Sequence, residues 1–212
     1  RQDSEYQVVS IDQSIPLPDY VFYPNSDTDK TAVEWTVDDL NVAEVATTTD
    51  ANGKVSGTVK AKAAGVAVVK LQVVGKTEVN AAFRLIVRPT NEPKNCKADA
   101  TYNSVSLSWS PVADANGYTI TRKVEGSDTE QTIAHVDGTD TVSYKDTAAQ
   151  TGISYIYHVY AYTKYTNNGQ TDYANTDAYA SVKATPQLGK AAMTSVTAEG
   201  YSSLTLKWEK VD

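Results

Sequence analysis

Three side chains carry the reactivity that enzyme chemistry most often draws on: Cys96, His135 and His158. A thiol nucleophile needs a nearby base or a cluster of positive charge to lower its pKa. No Lys, Arg or His cluster surrounds Cys96. A metal site draws several His, Cys or carboxylates at motif spacing, and none is present. Gly-x-Ser-x-Gly, Ser-x-x-Lys and a phosphate-binding glycine loop are all missing. The acidic turns Ser26-Asp27-Thr28-Asp29-Lys30 and Asp137-Gly138-Thr139-Asp140 lack the spacing and closing Glu of a calcium loop. The expectation is no catalytic residue, no metal and no cofactor.

Recognition chemistry is better represented. Lys164-Tyr165-Thr166-Asn167-Asn168-Gly169-Gln170-Thr171-Asp172-Tyr173 reads as a hairpin tip, with Tyr162, Tyr165 and Tyr173 around it. Aromatic faces suit the C–H surfaces of a sugar, and side-chain amides suit its hydroxyls. Tyr165, Asn167, Asn168 and Tyr173 are therefore the candidate ligand-binding residues. The alternative reading of the stretch is an Asn-Gly hairpin with cross-strand Tyr pairs. Arg-Gly-Asp is absent.

The elements that must position these residues are strands. Val105, Leu107 and Trp109 alternate with polar residues, the period of a half-buried strand. Tyr102-Asn103-Ser104-Val105-Ser106-Leu107-Ser108-Trp109 comes again as Tyr201-Ser202-Ser203-Leu204-Thr205-Leu206-Lys207-Trp208. A repeat of about a hundred residues is the length of a β-sandwich module. The fold class expected is all-β, a tandem of immunoglobulin-like β-sandwiches. Residues 1–88 read as one sandwich, 89–93 as a proline linker, 94–186 as a second sandwich, and 187–212 as the truncated first strands of a third.

Within residues 1–88, Tyr20-Val21-Phe22-Tyr23 reads as a short strand. Val33, Trp35 and Val37 share a face, and Asp50-Ala51-Asn52-Gly53 reads as a type I′ hairpin turn. Ala67, Val69, Leu71 and Val73 point inward by alternation. Val33-Glu34-Trp35-Thr36-Val37-Asp38-Asp39, Val42-Ala43-Glu44-Val45, Gly53-Lys54-Val55-Ser56-Gly57 and Gly65-Val66-Ala67-Val68-Val69 resemble the stations of the group 2 bacterial Ig-like domain, with Trp35 in the core.

Residues 94–186 resemble a fibronectin type III domain. The resemblance rests on Val105 to Trp109, Ala115-Asn116-Gly117-Tyr118-Thr119-Ile120, Asp146-Thr147, Tyr155 to Tyr162 and Val182 to Pro186. It implies that Trp109 is the core aromatic of the second strand. It makes Tyr155 the tyrosine corner, and residues 164–173 the loop such domains commonly use for recognition. Cys96 aligns with Val196 of the repeat and reads as a small buried hydrophobe. His158 alternates with Tyr157 and Val159 and reads as exposed; His135 lies near a strand end. An isopeptide through Lys70 is disfavoured, because Lys70 faces outward by periodicity.

Net charge is −7 and the pI about 4.9, which disfavours nucleic acid and anionic membrane surfaces as partners. No apolar run reaches the ~18 residues of a membrane span. A lone cysteine forms no internal disulfide. Arg1 to Ser10 is polar and does not read as a signal peptide; if the protein is exported, its address is expected outside this sequence. The reading is of non-catalytic spacer modules in an extracellular or cell-surface bacterial protein, possible supports for adhesion. The alternative is a carbohydrate- or surface-binding accessory module of a polysaccharide- or wall-degrading enzyme. Expected partners are polysaccharide or a cell-surface protein, and neighbouring domains of the same chain.

Overall fold

The structure is a computed structural model describing residues 6–21, 32–189 and 192–210. Every regular element among the described residues is a β-strand. Seven strands come first: β1 (Tyr6–Ser10), β2 (Ser14–Pro16), β3 (Val33–Val37), β4 (Ala43–Thr49), β5 (Val55–Ala61), β6 (Gly65–Val73) and β7 (Lys76–Arg88). They build one sheet in the order β1-β7-β6-β3 and a second in the order β2-β5-β4. β1 runs parallel to β7, then the chain turns and crosses to the other sheet. Asp12 makes that turn with φ 68°, a left-handed conformation that Asp tolerates. The core between the sheets is filled by the alternate residues Ala67 and Val69 from β6, and Phe83, Leu85 and Val87 from β7. Leu71 and Val73 continue the inward row of β6 beside Val33 and Val55.

Eight strands follow. β8 (Lys97–Ala100), β9 (Val105–Ser108) and β12 (Ser143–Asp146) form a sheet in the order β12-β9-β8. β10 (Gly117–Val124), β11 (Gln131–Asp137), β13 (Tyr155–Asn167) and β14 (Gln170–Asn175) form the facing sheet, with β15 (Ala180–Ala184) also paired to β13. Trp109, 5 % exposed, meets the Tyr118 ring edge-on at 5.2 Å inside this sandwich. The Tyr155 hydroxyl accepts from the Gln150 backbone N–H at 3.2 Å, the tie-back that defines a tyrosine corner. Asp146 is buried but fully matched: Arg122 lies 2.7 Å away, the Tyr157 hydroxyl donates at 2.8 Å and Ala148 N–H at 2.9 Å. A buried carboxylate is tolerated only with such partners. Burial, and then the bond to Asp146, push the Tyr157 pKa up. Cys96 is half-buried against the same core, and burial raises its thiol pKa. Trp35 is half-buried between two apolar clusters of the first sandwich.

β16 (Met193–Ala198) and β17 (Leu204–Trp208) pair with each other as a two-stranded sheet.

Three local expectations change. Tyr20 and Val21 are not in a strand, while Phe22, Tyr23 and the Ser26–Lys30 loop lie outside the described residues. The Asn52-Gly53 turn is not type I′, because Gly53 alone has positive φ there. Instead Asp50 accepts from the N–H groups of both Asn52 and Lys54, closing a longer loop. The two-residue type I′ geometry occurs at Asn168-Gly169, with φ 49° and 78°. His158 is 7 % exposed rather than exposed, for reasons that belong to the site.

Candidate functional site

β13 and β14 pair from Tyr162↔Asn175 to Asn167↔Gln170, so the hairpin projects beyond the strands β13 shares with β10 and β15. Alternation gives it two faces. Thr163, Tyr165 and Ala174 lie on one, Tyr162, Lys164 and Tyr173 on the other.

The first face is docked on the first sandwich. Its target is the outer side of β7, where Ile86 sits between Val8 of β1 and Val66 of β6 in one cross-strand row. Ile86 is 0 % exposed although it points away from its own core, because Tyr165 and Ala174 cover it. Tyr165 is 8 % exposed, and its ring lies 5.5 Å from that of Tyr6. Thr163 donates its hydroxyl to the Val87 carbonyl at 2.7 Å, a buried bond between the sandwiches. Two arginines flank Ile86 on the same side of β7. Arg84 donates to the Thr166 carbonyl, and Arg88 donates to the Asn175 carbonyl at 3.1 Å and pairs with Asp177. Ser10 Oγ accepts from Arg88 Nε at 3.1 Å and steadies the guanidinium. Burying Ile86 and Tyr165 is worth roughly 1.5–3 kcal/mol each. Around 3 kcal/mol shifts a docked-to-undocked ratio by about a hundredfold. The residues joining β7 to β8 include Pro89 and Pro93, a short tether that keeps the two surfaces close.

The four candidate ligand residues are thus divided. Tyr165, expected on a solvent platform, is buried in the joint; its hydroxyl donates to Asp172 at 3.1 Å, and burial first, then bonds with Tyr6 and Asp172, raises its pKa. Asn168 is exposed at the turn and Asn167 half-buried at the strand end. Tyr173 belongs to the opposite face, 3.7 Å from the His135 ring and within 5° of parallel to it.

That opposite face continues across the outer side of the β10–β13 sheet. Gly117 permits it: a Cβ there would sit 2.5 Å from the Tyr162 hydroxyl, so only glycine lets the phenol lie over β10. Tyr162 then donates to Asp137 at 2.6 Å, and Lys164 pairs with the same carboxylate at 2.7 Å. These two bonds hold the Asp137 carboxyl below the usual range. Thr119 donates to Asn175 Oδ1 at 2.7 Å and contacts His135 Nδ1 at 3.0 Å. Further along, His158 Nδ1 meets Glu130 at 2.8 Å under the rings of Tyr160 and Tyr179. The alternation correctly sent His158 outward. It is buried because this outer face has its own aromatic cover. Burial works against the Glu130 carboxylate, but bonds from Thr121 and His158 outweigh it and lower its pKa. Burial lowers the His135 pKa, with Asp137 opposing.

Ile86, Val66, Thr163 and Ala174 escaped the sequence reading. The signal was present: Arg84-Leu85-Ile86-Val87-Arg88 holds three consecutive apolar residues, the pattern of a strand covered on both faces.

No protein-family model matches the chain, and no curated protein matches it. Solved structures do. A fibronectin type III-like protein from Clostridium thermocellum is 29 % identical, with a TM-score of 0.33, covering 48 % of this chain and 98 % of that one. Titin domains are 16 % identical, with a TM-score of 0.37, covering 82 % of this chain and 59 % of theirs. A redesigned β-sandwich protein is 18 % identical, with a TM-score of 0.35, covering 46 % and 95 %. The strand orders described above define an all-β chain of tandem immunoglobulin-like β-sandwiches.

Proposed function

We propose that the two sandwiches act together as a rigid, non-catalytic strut in an extracellular bacterial multidomain protein, setting the distance and angle between the domains on either side. The observation that carries this is the burial of Tyr165 against Ile86. Sandwiches on a linker normally move relative to one another unless a well-packed interface holds them. Here the loop that such modules would leave free for ligands is spent on a neighbour instead. The bacterial surface setting, and a group 2 Ig-like assignment for the first sandwich, rest on the resemblance of residues 33–69. A polysaccharide-binding accessory role draws support from a different feature, the aromatic outer face of the β10–β13 sheet.

Spin labels at Lys60→Cys and Asp128→Cys, in a Cys96→Val background, report the arrangement of the sandwiches. The expected distance distribution is single and narrow, and Ile86→Asp broadens it. A broad distribution with Ile86 intact contradicts the strut.

A further inference from the structure

The solvent side of a sandwich sheet is ordinarily a scatter of charged and polar residues. The outer side of the β10–β13 sheet departs from this. Two aromatic groups stand on it. His135 and Tyr173 are stacked at 3.7 Å, and Tyr179 packs 4.2 Å from His158 and 5.0 Å from Tyr160. Thr119 lies beside the first group and Thr121 beside the second, both buried although they are outward residues of β10. Two residues along a strand put the groups about 7 Å apart at the backbone.

The groups are held in place before any ligand arrives. Thr119 bridges His135 and Asn175, Asp137 anchors Tyr162, and Glu130 ties Thr121 to His158. Holding polar groups in position beforehand reduces the ordering cost of binding. Yet polar groups remain unused: among the described residues no protein hydrogen bond engages the donor Asn175 Nδ2, the acceptor His135 Nε2 or the hydroxyls of Tyr160, Tyr173 and Tyr179. Tyr179 is 44 % exposed.

Charge selects the occupant. The face carries the ion pairs Lys164 with Asp137 and Lys183 with Glu125, while Glu130 is hydrogen-bonded to His158 and lies in the field of Lys123. Paired charges leave little field to attract an ion, and the net charge of −7 repels polyanions. What suits exposed rings, unengaged amide and phenol groups and balanced charge is a ligand with C–H faces, many hydroxyls and no charge.

We propose that this face binds an uncharged oligosaccharide chain, with Tyr173 and His135 contacting one sugar unit, Tyr179 and Tyr160 another, and Asn175 donating to ring hydroxyls. The site is separate from the docked face of the hairpin, so it stands whether or not the sandwiches form a strut.

The test is a titration of the 212-residue chain followed by ¹H–¹⁵N spectra. The probes are hexasaccharides of β-1,4-linked glucose, xylose, mannose and N-acetylglucosamine, with hexagalacturonate as the charged counterpart. At least one uncharged probe is expected to saturate, with shifts centred on Thr119, His135, Tyr160, Tyr173, Asn175 and Tyr179. Tyr179→Ala and Tyr173→Ala, each checked for native spectra, should weaken binding about fivefold, the scale of one aromatic contact. Tyr102→Ala, at an exposed site outside this sheet, should leave binding unchanged. The proposal is overturned if no uncharged probe saturates by about 10 mM. Preference for hexagalacturonate, shifts centred elsewhere, or indifference to both tyrosine variants would overturn it equally.

Discussion

The β13–β14 and β16–β17 hairpins are built from similar alternating strands and end in different surroundings. In the first, Tyr165 meets Ile86 of another sandwich and almost vanishes from solvent. In the second, Leu204, Leu206 and Trp208 line up on β17, and Trp208 stays 64 % exposed. Trp208 holds the repeat position of Trp109, which is buried against Tyr118. The same motif therefore gives a core residue in one place and a surface residue in the other. Alternation tells a strand which side is apolar. It does not supply the facing sheet, and two strands alone cannot enclose a core.

The sharpest way to break this comparison is to truncate the two tryptophans. Trp109→Ala should cost about 3–5 kcal/mol, the range for a large buried aromatic. Trp208→Ala should change stability by less than about 0.5 kcal/mol, as at other exposed sites. Urea unfolding of both variants, followed by circular dichroism, gives the two values. Equal costs would mean that β16–β17 packs as the earlier repeat does.

The joint comes next. Ile86→Ala should cost about 2–3 kcal/mol, as a fully buried branched residue. Ile86→Ala and Tyr165→Ala together should cost less than their sum, since each removes the other's partner. A double-mutant cycle measures the difference, and strict additivity would separate the two residues energetically. Thr163→Val should cost about 1–2 kcal/mol by leaving the Val87 carbonyl without its buried donor. Thr163→Ser should recover most of that loss.

The smallest effect is with pH. The Asp137 and Glu130 pKa values are lowered on folding, so their contribution is present above about pH 4 and lost as pH falls through their folded values. The His135 pKa is also lowered, so the unfolded chain takes up that proton first as pH falls through about 6.5. Both effects make the second sandwich less stable in acid, in two separate windows. Urea midpoints from pH 8 to pH 3 should show both declines, and His135→Ala should remove the upper one alone.

Much of this arrangement could be read before the structure. Period-two alternation places Val105 and Leu107, and Tyr157 and Val159, in the core, because a strand's inward side is a local property. The joint was less legible. Tyr165 and Ile86 are brought together by two strands nearly eighty residues apart, and their contact depends on how one sandwich meets another. His158 shows the same limit. Its outward direction is local, whereas its cover comes from Tyr179 after a turn and Glu130 ahead of β11. Outward-facing residues take their environment from elements that periodicity does not describe.

Residual dipolar couplings from the two sandwiches of the 212-residue chain test the joint most directly. If Tyr165 and Ile86 lock them, couplings from residues 33–88 and from 97–184 fit one alignment tensor of one magnitude, and Ile86→Asp splits the fit in two. Two different tensors with Ile86 in place would show independent modules and contradict the central claim.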